Sequence, residues 1–184
     1  MDRRWIDRII ATTGWTRTER HPFDWAATEQ QLGTRLPADY KELAEIFGPG
    51  MFGEWLGLFL PVDYEFYALD IVTEWSCSLR IAGEVYPFGL EPYGLHPKPG
   101  GLLEWGFTPD GHLSYYWAVE SDDPDLWPVI VSHADDTLLD RYEHSTTEHV
   151  YRELADVLDR HSEHNLQGFI TLNELTARDG LPRP

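Results

Sequence analysis

The stretch from Leu36 to Pro61, LPADYKELAEIFGPGMFGEWLGLFLP, constrains the fold more than any other part of the chain. It runs from a helix through a glycine-rich turn into an apolar strand. Pro37 has a fixed φ that suits a first helical turn, and Asp39 sets a negative charge near the positive end of that helix. Tyr40, Leu43, Ile46 and Phe47 recur at three- and four-residue spacing and so share a face, and Gly48 with Pro49 stops the helix. Such an apolar face needs a sheet to cover it.

Two further helices are expected before this one. Trp5, Ile6, Ile9 and Ile10 form an apolar stripe ending near Gly14, and Asp24 can cap a helix that runs to about Leu32 and stops at Gly33. From Gly57 onward short apolar runs bounded by glycine and proline predict strands: LFLP, EFYALDIV, EVYPFG, LLEWGFT, HLSYYWAV, WPVIV and TLLDRY. Asp110-Gly111 between two of these runs predicts antiparallel pairing. Leu113, Tyr115, Trp117 and Val119 alternate with His112, Ser114, Tyr116 and Ala118, so one face is apolar and helices should cover it. Glu91 to Gly101, rich in proline and glycine, is a loop.

Ser145 with Glu148 fits a capping box, and Val150, Tyr151, Leu154, Val157 and Leu158 give a closing helix its buried stripe. Beyond Asn165 the pattern weakens to ITLNEL and then RDGLPRP, which should fray. The expected architecture is α+β: a mostly antiparallel sheet packed against helices in a single domain over residues 21–164. Residues 1–20 form an N-terminal helical extension and 165–184 a C-terminal tail.

The Leu36–Pro61 segment resembles the start of the SUKH superfamily domain, in which LPxDYxxL precedes a G-x-G turn and a strand. That group contains bacterial immunity proteins and a fungal cell-wall regulator. Gly48 and Gly50 match the turn. LLEWGFTPDGHLSYYW followed by WPVIV resembles the family's central region, and TTEHVYRELADVL its closing helix. The matching residues, Leu36, Pro37, Tyr40, Gly48, Gly50, Trp105, Gly106, Asp110 and Gly111, read as structural. The resemblance implies a protein that binds and neutralises a cognate toxin domain, often a nuclease.

Charge agrees with a basic partner. The chain carries a formal net charge of −18, which repels phosphate and anionic lipid but attracts a cationic protein. From Glu104 to Glu163 there are 15 acidic residues against three arginines, an asymmetry that suggests one face. The acidic loop Glu120, Asp122, Asp123 and Asp125 is the expected contact surface, extended by Asp135 and Asp136 if the two loops lie together. Trp55, Trp75, Trp105 and Trp127 are candidate anchors, with core packing the better reading for most of them, Trp105 above all.

Other chemistries find little footing. His144 with His149, and His161 with His164, lack the four-residue HEXXH spacing of a helical zinc pair, so no metal is expected. Cys77 sits in no catalytic signature and reads as a small buried side chain; as the only cysteine it excludes an intrachain disulfide. No phosphate-cradling or dinucleotide glycine motif is present, and no cofactor is expected. Without a secretion signal or a spanning run of roughly 20 apolar residues, a cytoplasmic location is expected. The functional expectation is an immunity protein that occludes a basic nuclease-type toxin without catalysis. The alternative is a regulatory or scaffold protein that binds an endogenous partner, and a carboxylate-based hydrolase is the enzymatic rival.

Overall fold

The computed structural model describes residues 4–62, 69–84, 90–134, 139–160 and 168–179, with backbone alone for 82–84, 157–160 and 179. Helices α1 (Arg4–Thr13), α2 (Trp25–Leu32) and α3 (Ala38–Phe47) lead into strands β1 (Gly50–Phe52) and β2 (Leu56–Leu58). Helix α4 (Ile71–Glu84) precedes β3 (Leu102–Phe107), β4 (Leu113–Ala118), β5 (Val129–His133) and β6 (Leu139–Tyr142). Then come α5 (Thr146–Arg160), β7 (Phe169–Thr171) and α6 (Leu172–Asp179). The seven strands form one antiparallel sheet in the order β6-β5-β4-β3-β2-β1-β7, the α+β class expected.

Each helix has a local cause. Asp24 accepts a hydrogen bond from the Ala27 amide at 3.0 Å, capping α2. In α3, Tyr40, Leu43, Ala44 and Phe47 are fully buried, and the Tyr40 hydroxyl donates to the Phe59 carbonyl at the sheet. Gly48 ends α3 at φ +69°, and a Cβ there would lie 2.4 Å from the His21 ring. The α5 start has two caps. Ser145 accepts from the Glu148 amide at 3.3 Å, and the Asp39 carboxylate reaches across from α3 to accept from the Thr147 amide at 2.8 Å and hydroxyl at 2.9 Å. Asp39 therefore joins two helices as well as favouring its own N-terminus.

The main core lies between the sheet and α1, α3 and α5. Leu103, Trp105, Tyr115, Trp117 and Val129 meet Ile6, Ile9, Phe47 and Val150 there, all fully buried. Register explains the placement of Trp105. Glu104 pairs with Tyr116 but Gly106 with Tyr115, so Trp105 is the extra residue of a bulge. The second sheet face is covered too: Leu102, Tyr116, Ala118 and Ile130 are buried with Leu90, Tyr93 and Leu139 packed on them, and α4 lies against β3.

Three local expectations are corrected. Ile71 and Val72 open α4 and do not end a strand, because Asp70 accepts from the Thr73 amide at 2.7 Å and Ile71, Trp75 and Leu79 follow helical spacing. The rest of EFYALDIV before Leu69 and of EVYPFG after Glu84 lies outside the described residues. The glycine-rich turn is itself a hairpin, β1 to β2. The C-terminal tail, where only a weak pattern is expected, supplies β7, paired with β1, and α6; of RDGLPRP, expected to fray, Arg178 and Asp179 end α6 and the rest lies outside the described residues. Thr171 and Glu174 form a reciprocal capping box that starts α6.

Candidate functional site

The acidic loop leaves the end of β4 and passes through a single 3-10 turn, Pro124–Leu126, before β5. Its base is tied to the core by Trp127, which is buried and donates its indole N–H to the Ser121 carbonyl at 2.7 Å. Its outer side is tied to the start of α3 and the segment before it: Arg35 donates to the Asp122 carbonyl at 2.8 Å, and Asp125 accepts from the Ala38 amide at 2.7 Å. Pro37 offers α3 no side-chain cap, so Asp125 supplies one from the loop.

The four described carboxylates thus divide by task. Glu120 is held bidentately by Arg141 at 2.5 and 3.1 Å. Asp123 caps the 3-10 turn by accepting from the Asp125 amide at 3.2 Å, and Asp125 caps α3. Asp122 is exposed, and among the described residues its carboxylate has no partner. The same loop carries Leu126, 69% exposed, which with Ile81 forms the described set of exposed large hydrophobics. Charge alone points to the loop, but Leu126 was missed; its only sequence signal is an apolar residue between Asp125 and the buried Trp127.

Asp135 and Asp136 lie outside the described residues. The residues flanking them, His133 and Leu139, pair with Leu113 and Ser132, at the hairpin end of β4. Glu120 follows the opposite end, a strand length of about 20 Å away. Other acidic residues also leave the expected face: Glu104 is turned under α4, and Asp110 sits in the β3–β4 hairpin, accepting from Thr108 and His112. Trp105 and Trp127 are core residues, whereas Trp55 and Trp75 are half-buried. Cys77 is half-buried on α4.

Among the described residues, groups with perturbed acidity lie on both faces of the sheet, and Tyr116, raised by burial and by Glu104, stands beside Glu104. Burial between β3, β4 and α4 pushes the Glu104 carboxyl up to about 7, with Glu74 adding repulsion and a Ser114 hydrogen bond opposing. On the other sheet face, burial drives His149 down to about 3, helped by His144 and Arg152. The His144 and His149 rings stand 5.9 Å apart, and among the described residues no group of three or more His, Cys, Asp or Glu is placed to hold a metal ion. His161 and His164 lie outside the described residues. Among the described residues no helix is long and apolar enough to cross a membrane.

No protein-family model matches the chain, and neither a curated protein nor a solved structure matches it.

Proposed function

We propose that the protein is a non-catalytic binding module of the SUKH type, an immunity protein that neutralises a basic toxin domain in the cytoplasm. The observation that carries this reading is the Glu120–Leu126 loop, in which exposed Leu126 stands beside carboxylates on a segment bonded to α3 and anchored by Trp127. A loop held in one conformation loses little entropy on docking, so its contacts convert efficiently to affinity. Leu126 would enter an apolar depression on the partner, while Asp122 and its neighbours face lysine or arginine at the rim and speed encounter.

The matching family residues do structural work, as the resemblance implies. Leu36, Tyr40 and Trp105 are buried, and a Cβ at Gly50 would lie 2.3 Å from the Ile170 carbonyl oxygen. Binding is favoured over hydrolysis because, among the described residues, Glu104 and His149 lie on opposite faces of the sheet and do not converge, while Tyr116 beside Glu104 is held protonated by burial. The test is growth rescue of cells that express the product of a neighbouring toxin-like gene, if one exists. Rescue by the native protein, reduced by Leu126→Ala together with Asp122→Lys, is expected. Full rescue by that double variant would remove the loop from the interface, and no rescue by the native protein would end the immunity reading.

A further inference from the structure

We infer that the cavity between the outer face of β1–β3 and α6 binds a small apolar molecule whose head is net neutral and both donates and accepts hydrogen bonds. The cavity is about 340 Å³, within the range of small-ligand sites and too small for a folded partner. Met51, Leu69, Phe107, Leu172 and Leu175 make its walls apolar, and charge enters at Glu54 and Arg178, which pair at 2.7 Å.

Several features of the chain shape these walls. A Cβ at Gly57 would lie 2.7 Å from the Phe107 ring and 2.8 Å from the Met51 sulfur, so glycine lets both side chains lie low on the sheet and keeps the space above them open. The β1–β2 turn has positive φ at Gly53 and at Glu54, +60° and +54°, and a non-glycine residue adopts that conformation at a cost. That strained turn presents the Glu54 carboxylate to Arg178 on α6. The Thr171–Glu174 capping box fixes the start of α6.

The paired charges select the head. A carboxylate would be opposed by Glu54 and an ammonium by Arg178, whereas a primary amide accepts from the guanidinium and donates to the carboxylate. The cavity shares no residue with the acidic loop, so this inference stands apart from the proposed function.

The chain has two methionines, Met1 and Met51, so the Met51 methyl signal in a carbon–proton NMR spectrum of the full chain reports directly on the cavity. The probes are phenylacetamide, phenylacetate, phenethylammonium and toluene, each titrated to about 10 mM, since a fragment of this size binds in the millimolar range. The expected result is a saturable Met51 shift with phenylacetamide, at least tenfold tighter than with either charged probe. Glu54→Gln, a partly exposed change that leaves the core intact, should bring phenylacetate level with the amide. Leu175→Trp should abolish the shift while the Met51 signal stays that of a folded chain. A Met51 signal unmoved by all four probes overturns the inference, as does equal binding of all four or a phenylacetate affinity unchanged by Glu54→Gln.

Discussion

Replacing Asp39 with alanine should be among the more costly single changes in the chain, although the residue lies only two positions inside a helix start. Its carboxylate is 8% exposed and accepts two hydrogen bonds from Thr147, itself buried, at the N-terminus of α5. Asp39→Ala removes the one oxygen that accepts both bonds and leaves the buried Thr147 amide without its side-chain acceptor and the hydroxyl with Ser145 alone. A charged hydrogen bond contributes about 1.5–3 kcal/mol, and loss of a helix cap costs about 0.5–2 kcal/mol. The two descriptions overlap, so the expected cost is about 3 kcal/mol and not their sum. Asp39→Asn keeps an acceptor but loses the charge facing the α5 dipole, and should cost about 1–2 kcal/mol. Urea unfolding followed by tryptophan fluorescence reads both values, and a double-mutant cycle with Thr147→Val isolates the coupling, expected at about 1 kcal/mol. A cost below about 0.5 kcal/mol for Asp39→Ala, the level of an ordinary surface change, would refute the cross-helix cap.

The loop carboxylates should separate in the same assay: Asp125→Ala loses the α3 cap and costs about 1 kcal/mol, whereas Asp122→Ala stays within about 0.5 kcal/mol of native. His149 sets an acid limit. Its side chain is 3% exposed, and although Glu153 lies 3.9 Å away and favours the charged form, burial outweighs it. With a folded value near 3 against 6.5 unfolded, its contribution is complete above about pH 6.5 and is lost as pH falls toward 3, at up to about 1.4 kcal/mol per pH unit. His149→Phe should flatten that slope in denaturation measured from pH 4 to 7, and an unchanged slope would count against it. Glu104 acts in the opposite sense: its raised value means stability is complete below about pH 4.5 and declines as pH rises through 7. Glu104→Gln should therefore melt higher than native at pH 8 and close to native at pH 4.5; an equal shift at both would contradict the titration.

Elements marked by caps and strong periodicity were legible in the sequence. Asp24, Gly33, Pro37 and Gly48 stand where α2 and α3 begin and end, Ser145 stands where α5 begins, and the alternation of Leu113 to Val119 identified the core face of β4. Helix α4 was hidden because Ile71-Val72-Thr73 is β-branched and reads as strand, while the deciding Asp70 cap is a single residue. Strand β7 is too short to show alternation, although TLNE carried the capping-box signature of α6. At the candidate site, sequence located the acidic loop. It could not reveal that Glu120 is matched by Arg141 or that Asp125 caps α3, because both partners are distant in the chain. Nor does one sequence show that the segments ending in His133 and Glu120 emerge at opposite ends of β4, since strand register alone decides it.

The most direct test of the binding account is the association rate of the purified protein with the toxin domain proposed as its partner, measured at low and at physiological salt. Asp122→Lys should slow association severalfold at low salt and reduce its salt dependence while leaving the unfolding midpoint unchanged, because rim charge acts on encounter. An association rate and salt dependence equal to those of the native protein would contradict docking through this loop.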